Sequence, residues 1–214
     1  MTETQTAQAA HDHHLLDLFR LEAKAEQIVG WKLSSIQYAT LGNSSRYNDR
    51  RTVAEMVADM QALVDAGDTR IIRYSGQRPS QFLAEYNDAL AGLHAVGASI
   101  AAHEAAYTGW QRFFLVTSSA GLVHASTWCH TCNKGRKLTR FALVAEFSGQ
   151  PVADLVEAVG PMLCSVCFPA APTEWQEQDR VPARIAQVLF DLGYDAFKTE
   201  LAKYQAKRAA KAAR

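Results

Sequence analysis

The chain has 214 residues, 48% of them hydrophobic, and its 22 lysines and arginines balance 22 aspartates and glutamates. A chain of this length can bury a substantial core, since a 150-residue domain already buries roughly 70% of its unfolded surface. The balanced charge excludes a bulk attraction to nucleic acid or to a membrane surface. No apolar run reaches the length of a membrane span, and the start, MTETQTAQ, lacks the regions of a signal peptide. We therefore expect a protein of the bacterial cytoplasm, with no membrane contact and with reduced cysteines.

The first part of the chain predicts a flexible N-terminus followed by a long helix. Residues 1–12 are polar and have no apolar period, so we expect them to be flexible. The run HDHH at 11–14 is interpreted as solvated residues at a helix start, with adventitious metal binding as the alternative. From Leu15 to about Tyr38 apolar residues recur every three or four positions, which predicts one amphipathic helix.

Two further helices and a short strand are predicted before the cysteines. Thr52 and Glu55 stand three residues apart, so they can form a capping box that opens a second helix, which Gly67 is suited to end. The segment 69–74 has the composition of a strand. The longest periodic segment, 80–107, predicts a central helix of roughly 40 Å. Such a helix must pack against the other helices or pair with a second copy of the chain. A homo-oligomer formed through this helix is therefore one of the two alternatives.

The second half of the chain predicts a hairpin, a strand and further helices. Residues 110–117 are β-branched and aromatic, 118–121 form a turn, and 122–126 alternate again, which predicts a β-hairpin. The segment 138–147 suits a strand or a buried helical turn, and we favour a strand start. Pro151 opens a short helix that returns the chain to the last cysteines, and the C-terminal apolar periodicity predicts docked helices.

Four cysteines form two matched Cys-x-x-Cys pairs. Cys129 and Cys132 are one pair, Cys164 and Cys167 are the other, and 31 residues separate them. Two such pairs are the ligand pattern of a tetrahedral zinc site, so we predict that all four cysteines bind one structural Zn²⁺. The alternatives are two disulfides in an exported protein or a redox-active pair. A site closed by four thiolates has no position for a catalytic water, which disfavours metal-assisted hydrolysis.

Two histidines lie close to the first cysteine pair in sequence. His124 ends the predicted hairpin, and His130 lies between Cys129 and Cys132. Either histidine can replace a cysteine as a ligand or orient a thiolate by a hydrogen bond. Zinc deaminases have a His-x-Glu pattern before their cysteines, but His124 is followed by Ala125 and Ser126. The missing glutamate disfavours deaminase chemistry.

Basic residues follow the first cysteine pair and recur near the C-terminus. The first group is Lys134, Arg136, Lys137 and Arg140, and the second includes Lys207, Arg208 and Lys211. Both groups can hold phosphates of a nucleic acid. The alternative is that the first is a solvated loop and that the second favours the negative end of its own helix.

Between about residues 80 and 175 the chain contains an RFF segment, two Cys-x-x-Cys pairs and a Ser-Gly pair, and this set of motifs resembles an uncharacterised family of actinobacteria and their bacteriophages. The shared features are an aromatic RFF strand, a glycine turn followed by a histidine, a first Cys-x-x-Cys, a Ser-Gly pair, and Cys-x-x-Cys-Phe-Pro ending in Ala-Pro. These features fall here on Arg112, Phe113, Phe114, Gly121, His124, Cys129, Cys132, Ser148, Gly149, Cys164, Cys167, Phe168, Pro169 and Pro172. The chain departs from the family by Leu122 in place of a second histidine and by its NKGRK run. The resemblance implies a phage or mobile-element origin and a zinc-type domain, and it implies no activity.

We therefore predict a predominantly helical α+β protein with long helices and a β-hairpin zinc-knuckle domain of the zinc-ribbon or treble-clef type. The predicted segments are a flexible N-terminus at 1–12, a helical region at 13–108, the zinc-binding hairpin and knuckle domain at 109–175, and a basic C-terminal helical tail at 176–214.

The favoured function is a phage-type, zinc-stabilised binding or regulatory protein that contacts a host or phage protein, because the net charge is zero. Binding of DNA or RNA through the basic loop at 134–140 and the tail is the alternative. An enzyme with a site around Arg70, Arg73, Tyr74 and His94 is disfavoured, because no known catalytic spacing supports it.

Overall fold

The computed structural model describes residues 1–41, 50–72, 76–118, 121–132, 139–159, 162–170 and 181–212. Over these residues the protein is mostly helical with one small antiparallel sheet, which confirms the predicted α+β class. The chain forms two compact units, a terminal unit of Met1–Arg20 with Glu104–Arg214 and a central unit of Leu21–His103. Within the described ranges, no helix has both the length and the apolarity needed to cross a bilayer.

The helices are α1 (Glu3–Leu41), α2 (Val53–Asp65), α3 (Pro79–Ala105), α4 (Val152–Val159), α5 (Ala183–Leu192) and α6 (Tyr194–Ala212). The strands are β1 (Phe114–Val116), β2 (Val123–His124) and β3 (Phe141–Leu143), and a short 3-10 helix covers Ala145–Phe147. The predicted N-terminal helices, the hairpin and the helix after Pro151 are therefore present. Residues 69–72 of the predicted short strand are not in a strand, and its last two residues lie outside the described part of the chain.

The central unit is organised by a capped helix and an apolar core. The Thr52 hydroxyl accepts a hydrogen bond from the Glu55 amide, and the Glu55 carboxylate accepts one from the Thr52 amide, as the capping box predicts. Gly67 follows α2 with a φ of +68°, the left-handed conformation expected of a glycine after a helix. The buried apolar side chains of this unit are Ile36, Met56, Met60, Ile72, Phe82, Leu83 and Tyr86.

The sheet of the terminal unit has the strand order β2-β1-β3, and both pairs are antiparallel. β1 is central because Phe114 stands opposite His124 on one side and Leu143 on the other. The segment 138–147, whose structure the sequence left open, contains β3 and then the 3-10 helix. Alternating side chains of the sheet enter a core that also includes parts of α4, α5 and α6.

The terminal unit has its own apolar core. Helix α5 contacts α6, β1 and β3, and covers the sheet. The buried apolar residues are Phe113, Leu115, Val123, Ala142, Val144, Phe147, Leu155, Val159, Met162, Leu163, Phe168, Val181, Ile185, Ala186, Leu189 and Phe197.

The N-terminus differs from the flexible segment that the sequence predicted, because α1 begins at Glu3 and Asp12 is fully buried. The Asp12 carboxylate accepts hydrogen bonds from Arg112 Nη2 at 2.6 Å and from Trp110 Nε1 at 2.9 Å. Arg112 also pairs through Nη1 with Glu104 at 2.9 Å, and its guanidinium lies 3.7 Å from the centre of the Tyr107 ring. These contacts hold the first residues of α1 in the terminal unit.

Candidate metal centre

The two cysteine pairs are brought together by strand β2. The first pair follows β2 after a short connection, and the amide of Cys132 donates a hydrogen bond to the carbonyl of Cys129 at 2.8 Å. The second pair is fixed to the same strand, since Leu163 forms a parallel bridge with Val123 and the Cys164 amide donates to the Val123 carbonyl at 2.9 Å. Backbone pairing therefore sets the distance between the pairs before any ion binds.

Four side chains converge where β2 meets the two pairs: His124, Cys129, Cys164 and Cys167. One potential ligand atom from each lies within 4.8 Å of the others. The Cys129 and Cys164 sulfurs are 3.9 Å apart, and the Cys167 sulfur lies 3.7 Å from His124 Nδ1. Zn–S bonds of about 2.3 Å and Zn–N bonds of about 2.0 Å at the tetrahedral angle require about 3.8 Å between sulfurs and about 3.5 Å from sulfur to nitrogen. The two measured distances are close to those that one tetrahedral metal ion requires.

Cys132 lies beside this group without being one of its four members. Its sulfur is 3.6 Å from His124 Nε2 and 3.8 Å from His124 Nδ1. The structure therefore brings three of the four predicted cysteine ligands together with His124, and leaves Cys132 as a fifth donor at contact distance. The sequence predicted Cys132 as a ligand and named His124 only as an alternative, and the structure groups His124 with the other three cysteines in its place.

The environment of His124 suits a metal ligand. Its side chain is buried, and the Phe141 ring meets it edge-on with 6.2 Å between centres. Burial lowers the pKa of His124 below its usual value, because a charged imidazolium loses hydration there. The neutral imidazole that this favours is the form that can donate a lone pair to a metal.

The thiols differ in how readily they lose their protons before metal binds. Burial raises the pKa of Cys167 to about 12 and also raises that of Cys132. Burial also acts to raise the pKa of Cys129, but hydrogen bonds from Thr131 outweigh it, and the net shift is downward. The Thr131 hydroxyl lies 3.1 Å from the Cys129 sulfur. Because metals bind thiolates, an ion must displace protons from Cys167 when it enters.

The remaining predicted site residues lie away from this group or outside the described ranges. His130 is exposed, and no group of metal-binding side chains found among the described residues includes it. Arg140 is exposed just before β3, whereas Lys134, Arg136 and Lys137 fall outside the described part of the chain.

The basic residues of the tail lie on α6. Lys207 and Lys211 are exposed, and the Arg208 guanidinium lies 5.9 Å from the Tyr204 ring centre. No finding tests whether they bind phosphate, so that assignment stays a prediction.

The structure describes two of the four residues of the disfavoured enzyme hypothesis. Arg70 pairs with Asp68, its neighbour two residues before, and His94 is exposed on α3. Arg73 and Tyr74 lie outside the described residues.

Two large apolar side chains are exposed to solvent beside the cysteines of the candidate metal centre. Trp128, next to Cys129, is 89% exposed, and Val166, between Cys164 and Cys167, is 44% exposed. Sequence reasoning missed Val166, because nothing local distinguishes an exposed valine in a knuckle from a buried one.

Comparison of the chain with protein-family models, with curated proteins and with solved structures found no match.

Proposed function

We propose that the protein is a zinc-stabilised binding protein that works through protein–protein contacts in the bacterial cytoplasm. The observation that carries the proposal is the convergence of His124 with Cys129, Cys164 and Cys167, whose potential ligand atoms all lie within 4.8 Å of one another. A donor set of three thiolates and one imidazole favours Zn²⁺ over the oxygen-preferring ions Mg²⁺ and Ca²⁺. Four protein donors close the coordination shell, so the ion holds structure and leaves no position for a substrate.

The exposed residues beside the cysteines support a role in protein binding. Trp128 is 89% exposed and Val166 is 44% exposed, and each is fixed by an adjacent metal-binding cysteine. Tryptophan is enriched among the residues that carry most of the energy at protein interfaces. A rigid exposed tryptophan loses little conformational freedom on binding, which favours it as an anchor. The resemblance to a phage-associated family fits a partner from the host or from the phage.

Binding of single-stranded DNA or RNA is the second candidate, because an exposed aromatic side chain can stack on a base. Trp128 would supply the stacking surface, and Arg140 with the basic residues at 134, 136 and 137 would meet the phosphates. The zero net charge of the chain disfavours this candidate relative to protein binding.

Metal content is the first test of the proposal. Protein purified without added metal should contain one zinc ion per chain by mass spectrometry of the metal, and Cys129→Ser should lose it. Wild-type protein that is purified without bound zinc, and that does not take up zinc when the ion is added, would overturn the proposal.

The binding role is tested with two tryptophan variants. Trp128→Ala should lose a partner recovered by pull-down with wild-type protein, whereas Trp31→Ala, a 55%-exposed tryptophan in the central unit, should retain it. Binding that is strong in low salt, falls steeply with added salt and requires RNA or DNA would instead identify the second candidate.

A further inference from the structure

The metal centre contains one more donor than a tetrahedral ion uses. Four donors satisfy Zn²⁺ in a structural site. The Cys132 sulfur is a fifth, at 3.6 Å and 3.8 Å from the two ring nitrogens of His124. His124 and Cys132 thus compete for one position, and the four side chains whose donor atoms all lie within 4.8 Å of one another include the histidine and not Cys132.

Cys164 and Cys167 differ from Cys132 in their surroundings, whereas Cys129 is half-buried like Cys132. Cys164 is only 2% exposed, and Cys167 packs against the apolar core. Cys132 is half-buried at the end of its knuckle, so a small reagent can reach it. Once Cys129, Cys164 and Cys167 are bound to the ion, Cys132 is the thiol whose reaction does not first require a metal–sulfur bond to break.

We propose that Cys132 is a modification site, a free thiol held beside the ion that reacts with oxidants of the peroxide class and then releases the metal. This inference rests on the proposed zinc site. In the first step the Cys132 thiol gives up its proton and its sulfur attacks a peroxide oxygen, so that an S–O bond forms, the O–O bond breaks, and the leaving hydroxide takes up that proton as water. The product is a sulfenic acid on Cys132.

The second step joins Cys132 to its neighbour in the same knuckle. The Cys129 thiolate leaves the ion and attacks the sulfenic sulfur, so that an S–S bond forms, the S–O bond breaks, and hydroxide leaves and is protonated to water. The two cysteines have then given two electrons to the peroxide. The backbone turn from Cys132 N to Cys129 O, at 2.8 Å, keeps the two residues together for this step. The ion has lost one ligand, and its affinity falls.

The test uses the full-length, zinc-loaded protein and iodoacetamide, with mass-spectrometric mapping of the labelled cysteine. The expected result is one labelled thiol per chain, Cys132, with the zinc content unchanged. His124→Ala should abolish the labelling, because Cys132 then takes the vacant coordination position, whereas His130→Ala should leave the labelling as in wild type. Hydrogen peroxide should release zinc from wild-type protein and form the Cys129–Cys132 disulfide, and Cys132→Ser should keep its zinc under the same treatment.

The outcomes separate this inference from the proposed function. Zinc-loaded wild-type protein in which Cys132 is protected as well as the other three cysteines would overturn the inference and leave the zinc site intact. Labelling of Cys132 that persists in His124→Ala would also overturn it. Wild-type protein that binds no zinc would overturn the proposed function itself. The wild-type labelling needs no variant, so a variant that fails to fold does not block the test.

Discussion

The buried contact between Asp12 and Arg112 yields a large and specific stability prediction. Asp12 is fully buried, and its carboxylate accepts hydrogen bonds from Arg112 Nε at 3.0 Å, from Arg112 Nη2 at 2.6 Å and from Trp110 Nε1 at 2.9 Å. Asp12→Ala removes all of these and leaves a buried guanidinium with Glu104 as its remaining carboxylate partner. Removing one partner of a buried ion pair costs about 3–5 kcal/mol. We expect the free energy of unfolding in urea, followed by circular dichroism, to fall by that amount.

A matched variant in the same helix provides the control. Asp17 also pairs with an arginine, Arg20, but its side chain is 63% exposed. Asp17→Ala should therefore lower the free energy of unfolding by less than about 1 kcal/mol. Equal effects of the two substitutions would refute the claim that burial makes the Asp12 contact strong.

The contact between Asp12 and Arg112 also predicts how the stability of the protein changes with pH. Burial acts to raise the pKa of Asp12, but hydrogen bonds from Arg112 and Trp110 outweigh it, and the pKa in the folded protein lies below the usual value. The carboxylate therefore contributes its full stability above the unfolded pKa of about 3.9, and the contribution is lost as the pH falls through the lower folded pKa. The stability difference between wild type and Asp12→Asn should shrink below about pH 4. A difference that stays constant down to pH 2 would contradict this.

Three further predictions concern packing and capping, each measured by urea unfolding. A Cβ on Gly121 would lie 2.2 Å from the Val116 carbonyl oxygen, so Gly121→Ala should cost about 1–3 kcal/mol. Gly97→Ala, in a helix with no atom within 4 Å of the new Cβ, should instead stabilise by up to about 1 kcal/mol, and the same sign for both would contradict the packing argument. Thr52→Ala should cost about 1 kcal/mol by removing the cap of α2, and an unchanged stability would disprove the cap. Met60→Ala, at a fully buried core position, should cost about 2–5 kcal/mol, and a loss below 1 kcal/mol would mean that the core collapses around it.

The helix cap and the hairpin could be predicted from the sequence, because each depends on interactions between residues that are close together in the chain. The Thr52 cap depends on Glu55, three residues away, and the hairpin depends on two alternating segments around a turn. Helix periodicity likewise predicted α1 from Leu15 onward. The helical start of α1 could not be predicted in this way, because Asp12 is held by Arg112, 100 residues further along the chain.

The sequence predicted the type of metal site, but not which four side chains the structure brings together there. The spacing of two Cys-x-x-Cys pairs indicates a tetrahedral site in any fold that brings the pairs together. Whether His124 or Cys132 joins the other three cysteines depends on the bridge between Val123 and Leu163, which places the second pair beside His124. That bridge joins segments 40 residues apart, and no periodicity encodes it. The sequence therefore predicted Cys132 as a ligand and His124 only as an alternative, whereas the group of side chains that the structure brings together includes His124.

If the proposed ion is bound, its coordination holds the first knuckle in place more than packing does. No residue of 126–132 belongs to the buried apolar core of the described terminal unit, and Trp128, His130 and Thr131 are exposed. The second pair differs, because the adjoining Leu163 and Phe168 are buried in that core. An ion bound by both cysteine pairs would therefore connect the loosely packed first knuckle to the well-packed second knuckle. Since the core is complete without the ion, metal loss should release the surface that carries Trp128 while the sheet and its helices stay folded.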